Sequence, residues 1–186
     1  VINKWWISKF EYQPLISIIL PTYNSDLNFL SSAVRSVETQ SYRNWQLCIA
    51  DDGSSDEQLK KYLGELASNP QIDVVFRKRN GHIASASNSA ISLASGDFIA
   101  FLDDDDEWYV DKLKKQIRLI KEKNLDYVMC NMRCISEDRS NFFGYTNFRT
   151  SSANTIELLI SGEGICPSSL VVKKECLVDV GYFDEK

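Results

Sequence analysis

Short apolar runs alternate along the chain with stretches whose apolar residues are spaced by three or four positions. Residues 15–20 are mostly apolar and β-branched and are followed by Pro21, a pattern typical of a buried parallel strand. Apolar residues at helical spacing between positions 29 and 37 then predict an amphipathic helix. The chain therefore begins its regular structure with a βα unit.

The same alternation continues to about residue 130. Further strands are predicted over 45–50, 72–76, 97–102 and 127–132. Helices are predicted near 57–67, over 83–94 and over 108–123. This βα series predicts an α/β fold, with a mostly parallel central sheet and helices on both faces. Ligands of such sheets bind beyond the carboxyl ends of the strands. Residues 133–186 show a less regular pattern.

Polar clusters follow three of the predicted strands, at residues 22–24, 51–54 and 103–106. Because the carboxyl ends of parallel strands lie at one edge of a sheet, we expect the clusters to converge. For each of the first two clusters taken alone, a simple turn or helix cap is an open alternative, since Asn, Asp, Gly and Ser favour such positions.

The third cluster consists of four consecutive aspartates at residues 103–106. Neighbouring carboxylates repel one another, so gathering them at the end of a buried strand is unfavourable unless a cation or a helix N-terminus compensates. Oxygen ligands favour Mg²⁺ or Mn²⁺, which keep positions open for water and substrate phosphates. The run therefore predicts a divalent cation and a phosphorylated co-substrate, with a solvated acidic face as the alternative.

Composition narrows the functional classes. The chain has 186 residues, suited to one domain, and its 26 acidic and 21 basic residues give a net charge of −5 without a basic block. Nucleic acid is therefore not expected as a partner. No apolar run approaches the ~18 residues of a membrane-spanning helix. Five cysteines without a Cys-x-x-Cys pair, and His82 as the single histidine, predict reduced thiols in the cytoplasm and no zinc site.

The two ends of the sequence suggest a piece of a longer protein. The chain opens on Val1 rather than Met and stops shortly after a predicted turn at Gly181. We expect residues 1–13 to be a linker or the end of a preceding domain. Residues 14–186 are expected to form a domain that is incomplete at its C-terminus.

Together the polar clusters resemble the nucleotide-sugar-binding part of a family 2 glycosyltransferase with the GT-A fold. The resemblance covers about residues 14–184 and implies a Rossmann-like, three-layer α/β/α domain. The matching stretches are residues 16–24, 36–42 with Trp45, 49–56, 80–81, Asn88, 96–97 and 101–106.

The resemblance implies roles for individual residues. Tyr23 is expected to stack on the nucleobase and Asp52 to accept from its N–H. The Asp-x-Asp motif of the family maps onto Asp103 and Asp105, with Asp105 as the direct ligand of Mg²⁺ or Mn²⁺, although two overlapping frames fit the run. The residues implied to bind the nucleotide sugar are Pro21, Thr22, Tyr23, Asn24, Asp52, Gly53, His82, Asn88, Asp103 and Asp104.

Two departures from the family pattern matter. Ser87 stands where members of the family often carry Arg. Neutralisation of the diphosphate charge would therefore rest on the metal and on His82 or Arg79. The alternative for His82 is a loop histidine without a role. The general base of such enzymes follows a segment like residues 181–185 and is expected beyond Lys186, so the catalytic residue is unknown and this chain alone is expected to be inactive. Residues 164–169 resemble the stretch on the acceptor side.

The resemblance thus predicts an inverting glycosyltransferase that transfers a sugar from a nucleotide-diphosphate sugar, first of all a UDP-sugar, to a saccharide or lipid-linked acceptor. Bacterial surface polysaccharide synthesis is the expected context, at the inner face of the membrane and with room for further transferase domains in the full-length chain. Two alternatives stay open: a non-catalytic nucleotide-sugar-binding module, and a metal-dependent nucleotidyltransferase using the same carboxylates.

Overall fold

The structure is a computed structural model that describes residues 13–136, 140–146 and 166–186. The predicted linker, apart from residue 13, lies outside the described residues. The strands are β1 (Ile16–Thr22), β2 (Trp45–Asp51), β3 (Ile72–Phe76), β4 (Phe98–Phe101), β5 (Tyr127–Val128), β6 (Arg133–Ile135), β7 (Phe142–Tyr145) and β8 (Val171–Lys173). The helices are α1 (Leu27–Glu38), α2 (Glu57–Leu66), α3 (His82–Ile91), α4 (Lys112–Lys123) and α5 (Lys174–Val180), with a 3₁₀ turn at Pro167–Ser169.

A six-stranded sheet with the order β3-β2-β1-β4-β8-β5 forms the centre of the domain. Strands β1 to β4 are parallel, whereas β8 runs antiparallel to both β4 and β5. The prediction of an α/β fold with a mostly parallel sheet is therefore confirmed. β6 and β7 form a separate two-stranded sheet.

Two hydrophobic cores lie on opposite faces of this sheet, because successive strand residues point to opposite sides. Ile18 packs with α1, α2 and α4, whereas Ile19 packs with α3 and α5. Both residues are fully buried. The result is the expected three-layer α/β/α arrangement.

Three predicted elements are shorter than their hydrophobic patterns suggest. The helix predicted over 108–123 begins at Lys112, because Trp108 is buried against the 3₁₀ turn and donates its Nε1–H to the carbonyl of Ser168. The strand predicted over 127–132 ends at Val128, where its pairing with β8 ends. The helix predicted over 83–94 ends at Ile91.

No helix in the described parts of the chain has the length and hydrophobicity needed to span a bilayer.

Candidate functional site

An open cleft of about 450 Å³ lies at the carboxyl ends of β1, β2 and β4. The chain leaves β1 toward β2 and β3 on one side and returns to β4 on the other, so the cleft occupies the topological switch point of the sheet. The three polar clusters converge here, as expected. The lining residues are Pro21, Thr22, Tyr23, Ser25, Asp52, Asn80, His82, Ile83, Ala86, Asp103, Asp104 and Asp105.

The loops after β1 and β2 are tied together by Asn24. Its backbone N–H donates to Ser54 Oγ at 2.8 Å, and its Oδ1 accepts from the backbone N–H of Ser55 at 2.8 Å. Asn24 adopts a left-handed conformation with φ of 48°. Its side chain therefore joins the two loops, and the neighbouring Tyr23, half exposed, lines the cleft.

Asp52 is almost fully buried at one end of the cleft, with 2% of its surface exposed. Both of its carboxylate oxygens accept from the backbone N–H of Gly81, at 3.1 and 3.0 Å, and Arg77 Nη1 lies 3.1 Å from Oδ1. This last contact is an ion pair without hydrogen-bond alignment. Sequence reasoning missed Arg77, a lone basic residue directly after β3.

Two glycines make this arrangement possible. Gly53 has a φ of 78°, and a Cβ there would lie 2.8 Å from the carbonyl carbon of Arg79. A Cβ on Gly81 would lie 2.5 Å from Arg77 Nη2. Gly53 thus allows the loop after β2 to pack closely against the backbone of Arg79. It is not among the residues that line the cleft.

Three of the aspartates that follow β4 line the other side of the cleft. The backbone N–H of Asp103 donates to Ser168 Oγ at 2.9 Å, and Asp104 Oδ2 accepts from Ser25 Oγ. Asp105 is exposed on the cleft surface. Burial first, and then repulsion from the three neighbouring carboxylates, raises the pKa of Asp103 to about 6, against an opposing hydrogen bond from Ser168.

Two residues of the aspartate run and a nearby cysteine form a candidate cation site. Ligand atoms of Asp103, Asp106 and Cys166 all lie within 4.8 Å of one another, so Asp106 and Cys166 join Asp103 in a set that sequence reasoning did not predict. Burial also raises the pKa of Asp106. The carboxylates of Asp103 and Asp106 fit a hard divalent cation, because the cation would relieve their repulsion. Asp105, the predicted direct ligand, is not part of this set of three.

His82 and Asn88 lie on α3 but face different surroundings. His82 is exposed, has a φ of 65° and lines the cleft. Asn88 does not line it: Nδ2 donates to Phe183 O at 2.9 Å and to Glu185 Oε1 at 2.7 Å, and Oδ1 accepts from the N–H of Phe183 at 3.1 Å. Part of the acceptor-side stretch, residues 164 and 165, lies outside the described residues.

Solved structures of other proteins share the fold of this chain. Staphylococcus aureus TarS 1-349 in complex with UDP has a TM-score of 0.75 at 22% identity, covering 91% of this chain and 50% of that one. The mannosyltransferase PcManGT from Pyrobaculum calidifontis, in complex with GDP-Man and Mn²⁺, has a TM-score of 0.70 at 17% identity, covering 95% and 49%. At these identities the likeness shows the fold, which is GT-A-like.

The sequence places the chain in a family. Residues 17–177 match the family described as "Glycosyl transferase family 2", and the chain belongs to that family. Its relatives include the Escherichia coli UDP-Glc:alpha-D-GlcNAc-diphosphoundecaprenol beta-1,3-glucosyltransferase WfgD, 38% identical over 67% of this chain and 48% of WfgD. The putative teichuronic acid biosynthesis glycosyltransferase TuaG of Bacillus subtilis is 34% identical over 69% and 50%. The chain thus spans about half the length of these relatives, whose names belong to bacterial polysaccharide synthesis.

Proposed function

We propose that the chain is the donor-binding part of an inverting, metal-dependent glycosyltransferase. It binds a nucleotide-diphosphate sugar, first of all a UDP-sugar. The enzyme transfers the sugar to a saccharide or lipid-linked acceptor in surface polysaccharide synthesis. The observation that carries this proposal is a single cleft with the Asp52–Arg77 pair at one end and the aspartate run at the other. A nucleoside diphosphate has the matching polarity, with a base at one end and anionic phosphates at the other.

The base end of the cleft offers an aromatic surface and a hydrogen-bond acceptor. Tyr23 is half exposed and lines the cleft, so its ring can stack on a base. Asp52, oriented by Gly81 and Arg77, can accept from a base N–H. Uracil, thymine and guanine rings all present such an N–H. The UDP-Glc in the name of WfgD is what supports a uridine nucleotide here.

The phosphate end is where Asp103 and Asp105 would hold Mg²⁺ or Mn²⁺. A bound cation of this kind neutralises charge that develops on the leaving diphosphate. The backbone of Asp103 is held by Ser168 and the carboxylate of Asp104 by Ser25, so two residues of the aspartate run are held by hydrogen bonds. His82 lies on the same cleft, where its side chain can contact a phosphate.

The proposal also covers three matters outside the cleft: the acceptor, the location in the cell and the general base. WfgD, by its name, acts on a diphosphoundecaprenol-linked sugar, which supports a lipid-linked acceptor at the inner face of the membrane. We assign no general base among the described residues of the cleft. The match covers about half the length of WfgD and of TuaG, and we expect the base and further transferase domains outside residues 14–186.

Calorimetric titration with UDP, GDP and dTDP, in Mn²⁺ and then in EDTA, tests the proposal. We expect metal-dependent binding of UDP, abolished by Asp105→Asn. The matched control is Asp179→Asn, which removes the same charge from an exposed position on α5 and is expected to bind as wild type. Failure of the folded chain to bind any of the three nucleotides would contradict the proposal. Binding in EDTA equal to that in Mn²⁺ would contradict its metal dependence.

A non-catalytic nucleotide-sugar-binding module is the second candidate, favoured by the buried Ser87 at the position where family members often carry Arg. Product analysis on a longer chain that includes the expected general base separates the two. Nucleotide binding without sugar transfer would support the module.

A further inference from the structure

The segment at residues 181–186, named here the C-terminal segment, is held on α3 mainly by the amide side chain of Asn88. Asn88 uses both N–H bonds of its Nδ2, one to the carbonyl of Phe183 and one to the carboxylate of Glu185. Its Oδ1 accepts from the backbone N–H of Phe183. A side-chain amide has two hydrogens to donate. Asn88 therefore has none left for a ligand of the cleft, and its observed role is to bind this segment.

Glu185 is held from two sides. Oε2 accepts from Ser85 Oγ at 2.7 Å, and Oε1 accepts from Asn88 at 2.7 Å. These two hydrogen bonds, together with the charge of Arg77, lower the pKa of Glu185. Arg77 is also the residue that pairs with Asp52 in the cleft, at 3.1 Å.

Phe183 provides a second connection. Its ring packs edge-on against Phe101, with centroids 5.6 Å apart and planes 82° apart. Phe101 is the last residue of β4 and is followed, after Leu102, by the aspartate run. The segment thus contacts both the strand that presents the aspartates and the helix α3, which lines the cleft.

Helix α3 is the wall shared by the cleft and the segment. Ile83 and Ala86 line the cleft, whereas Ser85 and Asn88 bind the segment. A shift of α3 would change both surfaces at once, because a helix with a buried face moves as a packed unit.

We propose that Asn88 and Glu185 are positioning residues, which couple docking of the C-terminal segment to nucleotide binding in the cleft. This inference rests on the proposed function. Such coupling is reciprocal: if docking strengthens nucleotide binding by some factor, nucleotide strengthens docking by the same factor. A purely structural contact has no such dependence on nucleotide.

The test combines nucleotide affinity with hydrogen exchange of the segment. UDP with Mn²⁺ is titrated into the wild-type chain and into Asn88→Ala and Glu185→Gln, and exchange of residues 182–186 is measured with and without UDP. We expect both variants to bind UDP at least about 5-fold more weakly. In the wild type, UDP is expected to slow exchange of the Phe183 amide, whose acceptor is Asn88. The control, Glu175→Gln, removes an exposed carboxylate paired with Lys173 and is expected to leave UDP affinity unchanged.

The outcomes separate this inference from the proposed function. If UDP binds the wild type but neither the exchange of residues 182–186 nor the affinity of the variants responds, the coupling is wrong and the donor site stands. If UDP does not bind the folded wild type at all, both are wrong. If Asn88→Ala lowers affinity but exchange in the wild type ignores UDP, Asn88 acts only on stability and the coupling is overturned.

Discussion

The backbone N–H of Asp103 donates a hydrogen bond to Ser168 Oγ at 2.9 Å, across 65 positions of the chain. The carbonyl of the same serine accepts from Trp108 Nε1 at 2.9 Å. Ser168 is 3% exposed, so water does not compete freely for these bonds. The 3₁₀ turn at Pro167–Ser169 therefore holds the aspartate run from both sides.

Replacing Ser168 by Ala is expected to destabilise the chain by about 1–3 kcal/mol, because the partly buried N–H of Asp103 loses its acceptor. Denaturant unfolding measures this change. The control is Ser92→Ala at the exposed end of α3, where Oγ donates to the carbonyl of Ser89, with an expected change within about 0.5 kcal/mol. Equal unfolding midpoints for the two variants would show that Ser168 does not hold the run.

Much of the parallel sheet could be predicted from the sequence, because β1 to β4 are apolar runs bounded by polar residues. β8 could not, since it has three residues and pairs with β4 only through contacts that are distant in sequence. The aspartate run could be recognised from the sequence, because four consecutive aspartates follow an apolar strand. Asn88 has the residue type of a ligand contact, but which face of α3 it occupies depends on how the helix packs. Arg77 was missed because a lone basic residue after a strand carries no pattern.

Asp52→Asn is expected to weaken UDP binding by roughly 10- to 100-fold, since hydrogen bonds to charged groups contribute about 1.5–3 kcal/mol. The dependence on Mn²⁺ should remain, because the aspartate run is intact. The control is Asp73→Asn, an exposed residue of β3 whose carboxylate accepts from Gln46. Unchanged UDP affinity in Asp52→Asn would remove Asp52 from the base site.

Gly53 and Gly64 form a matched pair for backbone strain. Gly53→Ala places a Cβ 2.8 Å from backbone at a φ of 78° and is expected to destabilise the chain by about 1–3 kcal/mol. A Cβ on Gly64, which lies in α2, would have nothing within 4 Å, so Gly64→Ala is expected to stabilise by about 0.5–1 kcal/mol. Thermal unfolding of both variants gives the two signs. Stabilisation by both would mean that the Asp52 loop tolerates a side chain at residue 53.

Lys112 lies at the start of α4 with 8% of its surface exposed, and its Nζ is 4.0 Å from the centre of the Trp108 ring. Burial lowers the pKa of Lys112 from the usual 10.5 to about 8. Between these two values the unfolded chain keeps a proton that the folded chain has released. The contribution of Lys112 to the free energy of unfolding therefore rises with pH from about 8 to 10.5.

Below pH 8 the folded chain carries the full cost of burying this charge. Lys112→Met keeps the apolar length of the side chain and is expected to be more stable than wild type at pH 7 by about 2 kcal/mol. The difference should shrink as pH rises toward 10.5, because neutral lysine and methionine are then similarly suited to the site. Urea unfolding of both proteins across pH 7 to 10 under reducing conditions, with exposed Lys115→Met as control, measures the difference. Parallel pH profiles for wild type and Lys112→Met would show that Lys112 stays charged in the folded chain throughout this range.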